Sequence, residues 1–319
     1  GRDHVEPAAA RLARDLAGTF RRRFSTWHRR VVLGEGTVVV GVDAYPFTDH
    51  MTGVGWYEWH LLAALDEAGE DLELNLYADT FRAPGEGAAP VLPGHRRMRL
   101  RCHHLPAGFL LPVRPTLAVL RRVVEPMLKL LDGNDVMFAP NFFLHRNQLP
   151  FGRTVVATVH DLAFRARPDT VSPATLAELE EQLPDTLFRA ERLIAVSEAT
   201  ATDLEVHLGV LRRRVHTIHE GIDPSFATAD GPPPAGVPTP YLLFVSTLEP
   251  RKNVTGVLAA FRLLVEWGYQ GHLVLVGRWG WRTEGIRDAF ERSPVRDRIL
   301  HLDGVDRTGL PALYRGADA

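Results

Sequence analysis

YLLFVSTLEPRKN, at residues 241–253, combines a strand, a turn and the start of a helix, and this stretch decides the fold. The run Tyr241 to Val245 is apolar and partly aromatic or β-branched, a composition that favours a buried strand. Two small hydroxyl residues and the turn at Pro250 follow it. Residues Val254 to Trp267 then have the apolar spacing of a helix. The stretch therefore predicts one strand–loop–helix unit of an α/β domain.

Two cations stand at the predicted start of this helix, Arg251 and Lys252. A helix N-terminus attracts anions through its free N–H groups and its dipole, so the pair predicts a diphosphate site. Among the 37 basic residues of the chain only Lys129 and Lys252 are lysines. A lysine at this position indicates a need for a compact ammonium group. The alternative is an ordinary pair of solvated cations.

Composition limits the class of protein. A length of 319 residues with 45% hydrophobic residues suits two globular domains. The net charge of −2 gives no global field for nucleic acid. The single cysteine, Cys102, excludes an internal disulfide and a cysteine-based metal site, and it fits a cytoplasmic protein. The histidines are scattered, so they do not indicate a metal site. The sequence contains no apolar run long enough to span a membrane, and no secretory signal is visible.

Alternating strands and helices predict one doubly wound α/β domain followed by about half of a second α/β domain. A basic helical extension at 1–36 precedes an N-terminal domain at 37–228. A proline-rich linker at 229–240 leads to a C-terminal domain at 241–319. The extension predicts either an amphipathic surface helix or a contact with an anionic membrane. The apolar, arginine-containing stretch at 105–131 predicts either a packed surface helix or a contact with a lipid-linked or membrane-bound acceptor.

The N-terminal domain has two candidate ligand positions at the ends of strands. Gly53 and Gly55 lie in a predicted loop at 48–55, between the first strand and the first helix, where bare backbone can approach a ligand. His160 and Asp161 end the predicted strand at 154–159, where ligands of parallel sheets bind. The alternatives are glycines that only make a turn and a histidine that only caps a strand end.

The chain resembles the family-4 retaining glycosyltransferases over about residues 37–319, and within them the bacterial mannosyltransferase-like enzymes. Six further motifs carry the resemblance in the family's order. They are GVDAYPFTDHMTGVGWYEWHLLAAL at 41–65, VVATVHDLAF at 155–164, ERLIAVSEATATDL at 191–204, HTIHEGIDPSF at 216–226, HLVLVGRWGW at 272–281 and HLDGVDRTGLPALYRGADA at 301–319.

This resemblance implies an α/β fold of the GT-B type, with two Rossmann-like domains facing across a cleft and the second one incomplete. It implies that Arg251 and Lys252 bind the donor diphosphate and that His160 reaches the transferred sugar. The other implied donor-binding positions are Gly53, Gly55, Ser246, Gly277, Asp303, Gly304 and Val305. Ser246 stands where the family usually has glycine, and Glu220 and Gly221 match a family loop without an assigned role. The resemblance implies no metal and no cofactor.

The implied reaction moves a hexose from a nucleotide sugar, with GDP-mannose the expected donor, to a glycan or lipid-linked acceptor with retention of configuration. We expect it in polysaccharide biosynthesis, in the cytoplasm and at the inner face of the membrane. The family segment with a Glu-Gly-Phe-Gly loop and a second glutamate is expected after Ala319, so we expect little transferase activity from this chain alone. The alternatives are another GT-B enzyme, such as a sugar-nucleotide epimerase, and a non-catalytic nucleotide-sugar-binding module.

Overall fold

The computed structural model describes residues 37–48, 52–68, 72–77, 98–101, 132–142, 144, 152–228, 231–305 and 309–319. The chain divides into two compact units. The first contains residues 1–162 and 177–220, and the second contains 163–176 and 221–319. The predicted extension at 1–36 and the stretch at 105–131 lie outside the described residues.

The first unit is built on a parallel sheet of seven strands, in the order β3-β2-β1-β4-β5-β6-β7. Successive strands are added on both sides of β1, which is the pattern of a doubly wound domain. The sequence prediction of this class is confirmed. The strands are β1 Val38–Asp43, β2 Leu72–Tyr77, β3 Met98–Arg101, β4 Asn134–Ala139, β5 Gly152–Val159, β6 Arg192–Ala195 and β7 Val215–Thr217.

The second unit has a parallel sheet of three strands, in the order β10-β9-β8. They are β8 Tyr241–Val245, β9 His272–Val276 and β10 Ile299–Leu302, with the predicted bounds. Side chains of β9 alternate between two buried clusters. Leu273 and Leu275 pack with one helix layer, whereas Val274 and Val276 pack with Tyr241 on the opposite face. Both faces are therefore covered, as parallel sheets require.

Eight α-helices lie in the described part of the chain. They are α1 Gly53–Ala68, α2 Ala163–Ala166, α3 Pro173–Arg189, α4 Glu198–Leu208, α5 Ser225–Thr228, α6 Val254–Glu266, α7 Glu284–Glu291 and α8 Leu310–Gly316. The sequence did not predict α7. None of the helices in these ranges is both long and apolar enough to cross a membrane.

Ser197 caps helix α4, as its sequence position predicted. Its backbone is extended and its hydroxyl accepts a hydrogen bond from the Thr200 N–H at 3.1 Å. At the other end Gly209 adopts the left-handed conformation, and its N–H returns to Glu205. The two caps satisfy backbone groups that a helix leaves free at its ends, so the sequence fixes both limits of α4.

The start of helix α1 differs from the prediction, which was wrong here. Gly53 and Gly55 do not form a loop, because the helix begins at Gly53 and both glycines belong to its first turn. Gly55 is buried and Leu62 on the same helix has no exposed surface. Packing of α1 against the sheet therefore outweighs the cost of about 1 kcal/mol that each helical glycine carries.

The proline-rich segment also differs from a free linker over its described part, 231–240. Val237 packs against the Tyr241 cluster, and the Pro240 carbonyl accepts a hydrogen bond from the His272 N–H at 3.0 Å. The compact units divide at Glu220 and Gly221, ahead of the segment. The segment is thus part of the second unit.

Candidate functional site

His160 lies directly after β5, at the carboxyl edge of the first sheet. Its Nε2 is 2.9 Å from the Pro140 carbonyl oxygen, which follows β4. Its Nδ1 is 3.1 Å from Oε1 of Glu220, in the segment that follows β7. The His160 carbonyl accepts a hydrogen bond from the Thr200 hydroxyl of α4 at 3.1 Å. Contacts from three neighbouring segments thus hold His160, and its side chain is only 10% exposed.

Two aromatic rings complete the surroundings of His160. Tyr57 of α1 meets the imidazole edge to face at 4.9 Å between centroids, and Phe142 lies 5.7 Å away. The Tyr57 hydroxyl is 3.3 Å from the Thr158 hydroxyl. Burial raises the pKa of the Tyr57 phenol, the bond to Thr158 lowers it, and the Glu220 carboxylate raises it further. Tyr57 is therefore a neutral side chain that lines this site and can form hydrogen bonds.

Glu58 of α1 is a buried carboxyl group that the sequence pattern did not predict. Its side chain has no exposed surface, and neither carboxyl oxygen has a hydrogen-bond partner. Burial raises the pKa of Glu58 well above its ordinary value of 4.5, and the charge of Asp43 at the end of β1 raises it further. The protonated acid is the form that this environment favours, because charge is costly away from water.

We expect the stability of the protein to fall as pH rises above about 4.5, the ordinary glutamate pKa, because of Glu58. Above that pH the unfolded chain releases this proton while the folded chain keeps it, so ionisation favours unfolding. Replacing Glu58 with methionine removes the unpaired carboxyl at similar volume, and should raise the unfolding free energy at pH 7 by about 1–3 kcal/mol. Urea unfolding between pH 5 and 8 measures both effects.

The matched control for Glu58 is Glu205, an exposed carboxyl on helix α4. Glu205→Met should leave the unfolding free energy within about 0.5 kcal/mol of the parent value. A Glu58→Met variant that is less stable than the parent protein at pH 7 would contradict this account of the buried acid.

The predicted cationic clamp lies at the carboxyl end of β8 in the second unit. Pro250–Lys252 form a turn of 3-10 helix, and Asn253 follows in the left-handed conformation at φ 51° before α6 begins. The two cations therefore precede the helix and do not form its first turn. The Arg251 Nε is 3.3 Å from Glu249 Oε1. Lys252 is exposed and makes no ion pair within the described ranges of the chain.

Gly277, directly after β9, is where three strand ends meet. Its N–H donates to the Leu302 carbonyl of β10 at 2.9 Å, and its carbonyl accepts from the His301 ring at 2.9 Å. A Cβ on Gly277 would lie 1.9 Å from the Ser246 carbonyl oxygen, and its φ is 142°. Only glycine fits this backbone without a shift.

The segments after β8 and β9 run side by side at the same edge. The Leu248 N–H donates to the Arg278 carbonyl at 2.8 Å, and the Gly280 N–H donates to the Leu248 carbonyl at 3.0 Å. A Cβ on Gly280 would lie 3.1 Å from Cβ of Glu249. Hydrogen bonds and close packing thus hold the loop that carries the two cations against the loop that follows Gly277.

The remaining predicted positions of the second unit lie at the same edge. The Ser246 hydroxyl donates to the Thr247 carbonyl at 3.0 Å. Asp303 and Gly304 follow β10 and are exposed, whereas the Val305 side chain packs against the Tyr241 cluster. The structure therefore gathers Ser246, Gly277 and Asp303 at three adjacent strand ends.

Sequence reasoning left three residues of these sites without a role: Glu220, Glu249 and Tyr57. Each is identified by a contact with a predicted residue, and the His160–Glu220 contact joins positions 60 apart in sequence. In the ranges that the structure describes, no group of three or more His, Cys, Asp or Glu side chains could hold a metal ion.

Comparison of the folded chain with solved structures identifies its architecture. WaaG, a glycosyltransferase involved in lipopolysaccharide biosynthesis, superposes with a TM-score of 0.55 at 14% identity, over 88% of this chain and 73% of that one. A glycosyltransferase from Rickettsia africae ESF-5 gives a TM-score of 0.53 at 11% identity, over 89% and 72%. These likenesses show the fold, and the α/β GT-B prediction is confirmed.

Sequence comparison identifies relatives among bacterial enzymes. O-antigen chain mannosyltransferase B of Escherichia coli is 26% identical over 287 residues, which cover 85% of this chain and 72% of that protein. Serotype-specific mannosyltransferase WbdA of Escherichia coli is 27% identical over 216 residues, 60% of this chain and 26% of WbdA. The chain thus matches about a quarter of WbdA's length.

The family model named Glycosyltransferase Family 4 matches residues 51–226, which is more than half of the chain. The matched range begins just before helix α1 and ends in α5, so it includes His160, Glu220 and Tyr57. The chain belongs to glycosyltransferase family 4.

Proposed function

We propose that the two α/β units of this chain serve an enzyme that transfers mannose from GDP-mannose to a glycan or lipid-linked acceptor during polysaccharide assembly, with retention of configuration. Family membership supports glycosyl transfer. The names of both Escherichia coli relatives support mannose. The name of O-antigen chain mannosyltransferase B supports a polysaccharide of the O-antigen type. The observation that carries the proposal is the exposed Arg251–Lys252 pair at the carboxyl end of β8, where α/β sheets bind their ligands.

In this proposal the donor diphosphate lies against Arg251 and Lys252. Departure of the nucleotide leaves a growing negative charge on the diphosphate, and cations placed beforehand stabilise that charge without reorganisation. The bare backbone at Gly277 lets the donor approach the strand ends closely. The base and ribose of the donor lie at the same edge, beside Ser246, Asp303, Gly304 and Val305.

The first unit contributes His160 and the first turn of α1 in this proposal. Gly53 is exposed and a Cβ at its position would meet no atom within 4 Å. The first N–H groups of a helix lack intrahelical partners, so the turn at Gly53 and Gly55 is suited to bind an anionic group. His160 supplies a polar group for the transferred sugar.

The two cations supply the charge that a metal ion provides in other transferases, so we propose that the nucleotide sugar is sufficient without a cofactor. A lipid-linked acceptor would place the reaction at the inner face of the membrane, with peripheral contact between the protein and the bilayer.

Calorimetric titration with GDP-mannose, UDP-glucose and UDP-N-acetylglucosamine tests the donor. We expect GDP-mannose to bind at least tenfold more tightly than the two UDP-sugars. NMR of the product formed with a polysaccharide acceptor fragment then gives the anomeric configuration, which we expect to match the donor. Equal binding of all three nucleotides, or a product of inverted configuration, would refute the corresponding part of the proposal.

A further inference from the structure

The proposed contact with the sugar does not explain how the two ring nitrogens of His160 are hydrogen-bonded. Both ring nitrogens face oxygen atoms: Nε2 faces the Pro140 carbonyl at 2.9 Å, and Nδ1 faces the Glu220 carboxylate at 3.1 Å. A carbonyl oxygen and an ionised carboxylate are acceptors only. Each nitrogen therefore has to be a donor for both contacts to be favourable.

A neutral imidazole has one N–H and one lone pair, so it satisfies only one of these two oxygens. The lone pair would then face the second oxygen at hydrogen-bonding distance, which is repulsive. The doubly protonated ring satisfies both, and Glu220 supplies the opposite charge. Glu220 is 48% exposed while His160 is 10% exposed, so water stabilises the carboxylate and the protein encloses the ring.

The rest of the environment restrains the ring in place. The titratable side chain of Tyr57 contacts one part of the imidazole from α1, and the Phe142 ring contacts another part from the segment after β4. The Thr200 hydroxyl holds the His160 carbonyl. The backbone and the ring of His160 are thus both fixed, and neither nitrogen is left to carry a proton to or from a substrate.

We propose that Glu220 is a positioning residue that holds His160 as a doubly protonated ring, with Nδ1–H donating to Glu220 and Nε2–H donating to Pro140. His160 then acts through a fixed positive charge at the carboxyl edge of the first sheet, and not as a proton carrier. The arrangement follows from the contacts alone. Its catalytic consequence rests on the proposed glycosyl transfer.

The direct test is the ¹⁵N spectrum of the full chain, labelled at histidine and measured at pH 7 without ligand. We expect His160 to show two protonated ring nitrogens in the parent protein and one in Glu220→Gln, whose amide can pair with the ring but cannot supply the charge. Glu220→Asp should restore two protonated nitrogens at least in part. Glu198→Gln, which breaks a different ion pair of the first unit, should leave the His160 signals unchanged.

Kinetics provide the second readout. We expect Glu220→Gln to lower kcat by about 10- to 100-fold, the usual effect of losing a charge-assisted contact, while the donor Kd changes less than threefold. Glu220→Asp should recover part of kcat.

The two readouts separate failure of this inference from failure of the proposed function. A parent spectrum with one bare nitrogen on His160, or identical spectra for the parent and Glu220→Gln, would overturn the inference whatever the enzyme does. Two protonated nitrogens in a protein that binds no nucleotide sugar would support the inference and refute glycosyl transfer by this chain.

Discussion

Replacing Lys252 with alanine should weaken nucleotide-sugar binding by about 10- to 100-fold, because one charge-assisted contact to the diphosphate is lost. Lys252 is exposed and makes no ion pair within the part of the chain that the structure describes, so its charge is available to a ligand. Arg251→Ala should also weaken binding, but less, since Glu249 already offsets part of the arginine charge at 3.3 Å. Calorimetry with GDP-mannose measures both.

Two further variants test the role of the Arg251–Lys252 pair in donor binding. Lys252→Arg keeps the charge but replaces a compact ammonium with a larger, planar guanidinium group. We therefore expect this variant to recover only part of the lost affinity. Arg292→Ala is the control, because Arg292 lies in the same unit, is 79% exposed and pairs with Asp288 of helix α7. Unchanged donor affinity in Lys252→Ala would contradict the assignment of Lys252 to the diphosphate site. Full recovery of affinity in Lys252→Arg would contradict the claim that this position needs a compact cation.

Gly277→Ala should destabilise the second unit by about 2–5 kcal/mol. The alanine Cβ would lie 1.9 Å from the Ser246 carbonyl oxygen, and a φ of 142° is strained for any residue with a side chain. Relief requires β8 and β9 to separate at their carboxyl ends, which would also disturb the loop that carries Arg251. Urea unfolding and donor binding should therefore both report the change.

Gly285→Ala is the matched control for this substitution. Gly285 lies within helix α7, and an added Cβ there would meet no atom within 4 Å. Alanine favours a helix over glycine by about 1 kcal/mol, so this variant should gain stability. A Gly277→Ala protein as stable as its parent would show that the strand ends are looser than their contacts indicate.

The sheet of the second unit was predictable because each strand is a short apolar run that ends at a polar or glycine residue. Tyr241–Val245, His272–Val276 and Ile299–Leu302 have the bounds that the sequence predicted. The cap at Ser197 was predictable for a related reason, since a hydroxyl residue directly before a helical segment satisfies its free N–H groups. In each case the signal lies within a few residues.

The start of α1 was not predictable from local preference. Two glycines in three residues favour a loop, and the helix begins at Gly53 only because tertiary contacts bury Gly55 and Leu62. Burial of Glu58 is a similar case. A glutamate between Tyr57 and Trp59 gives no local sign that its carboxyl group lacks both water and a partner.

Contacts between distant residues were also beyond the sequence. The Glu220 carboxylate and the His160 ring come together only because β5 and β7 end at the same edge of one sheet. The motif around Glu220 indicated a family loop, yet its role required the distance to Nδ1. The resemblance implied a donor-site role for Arg251, whereas the Glu249 contact that offsets part of the Arg251 charge was beyond the sequence.

The exposed position of Lys252 has a practical consequence for chemistry on this protein. Only two of its side chains carry a primary amine, and one of them is in the proposed donor site. An amine-selective reagent therefore has very few places to react, and a nucleotide sugar that covers the ammonium should shield it. Peptide mapping of such a reaction reports occupancy of the site directly. A probe or surface anchor joined at Lys252 would equally occupy the donor's place, so coupling through amines is a poor way to immobilise this protein for binding work.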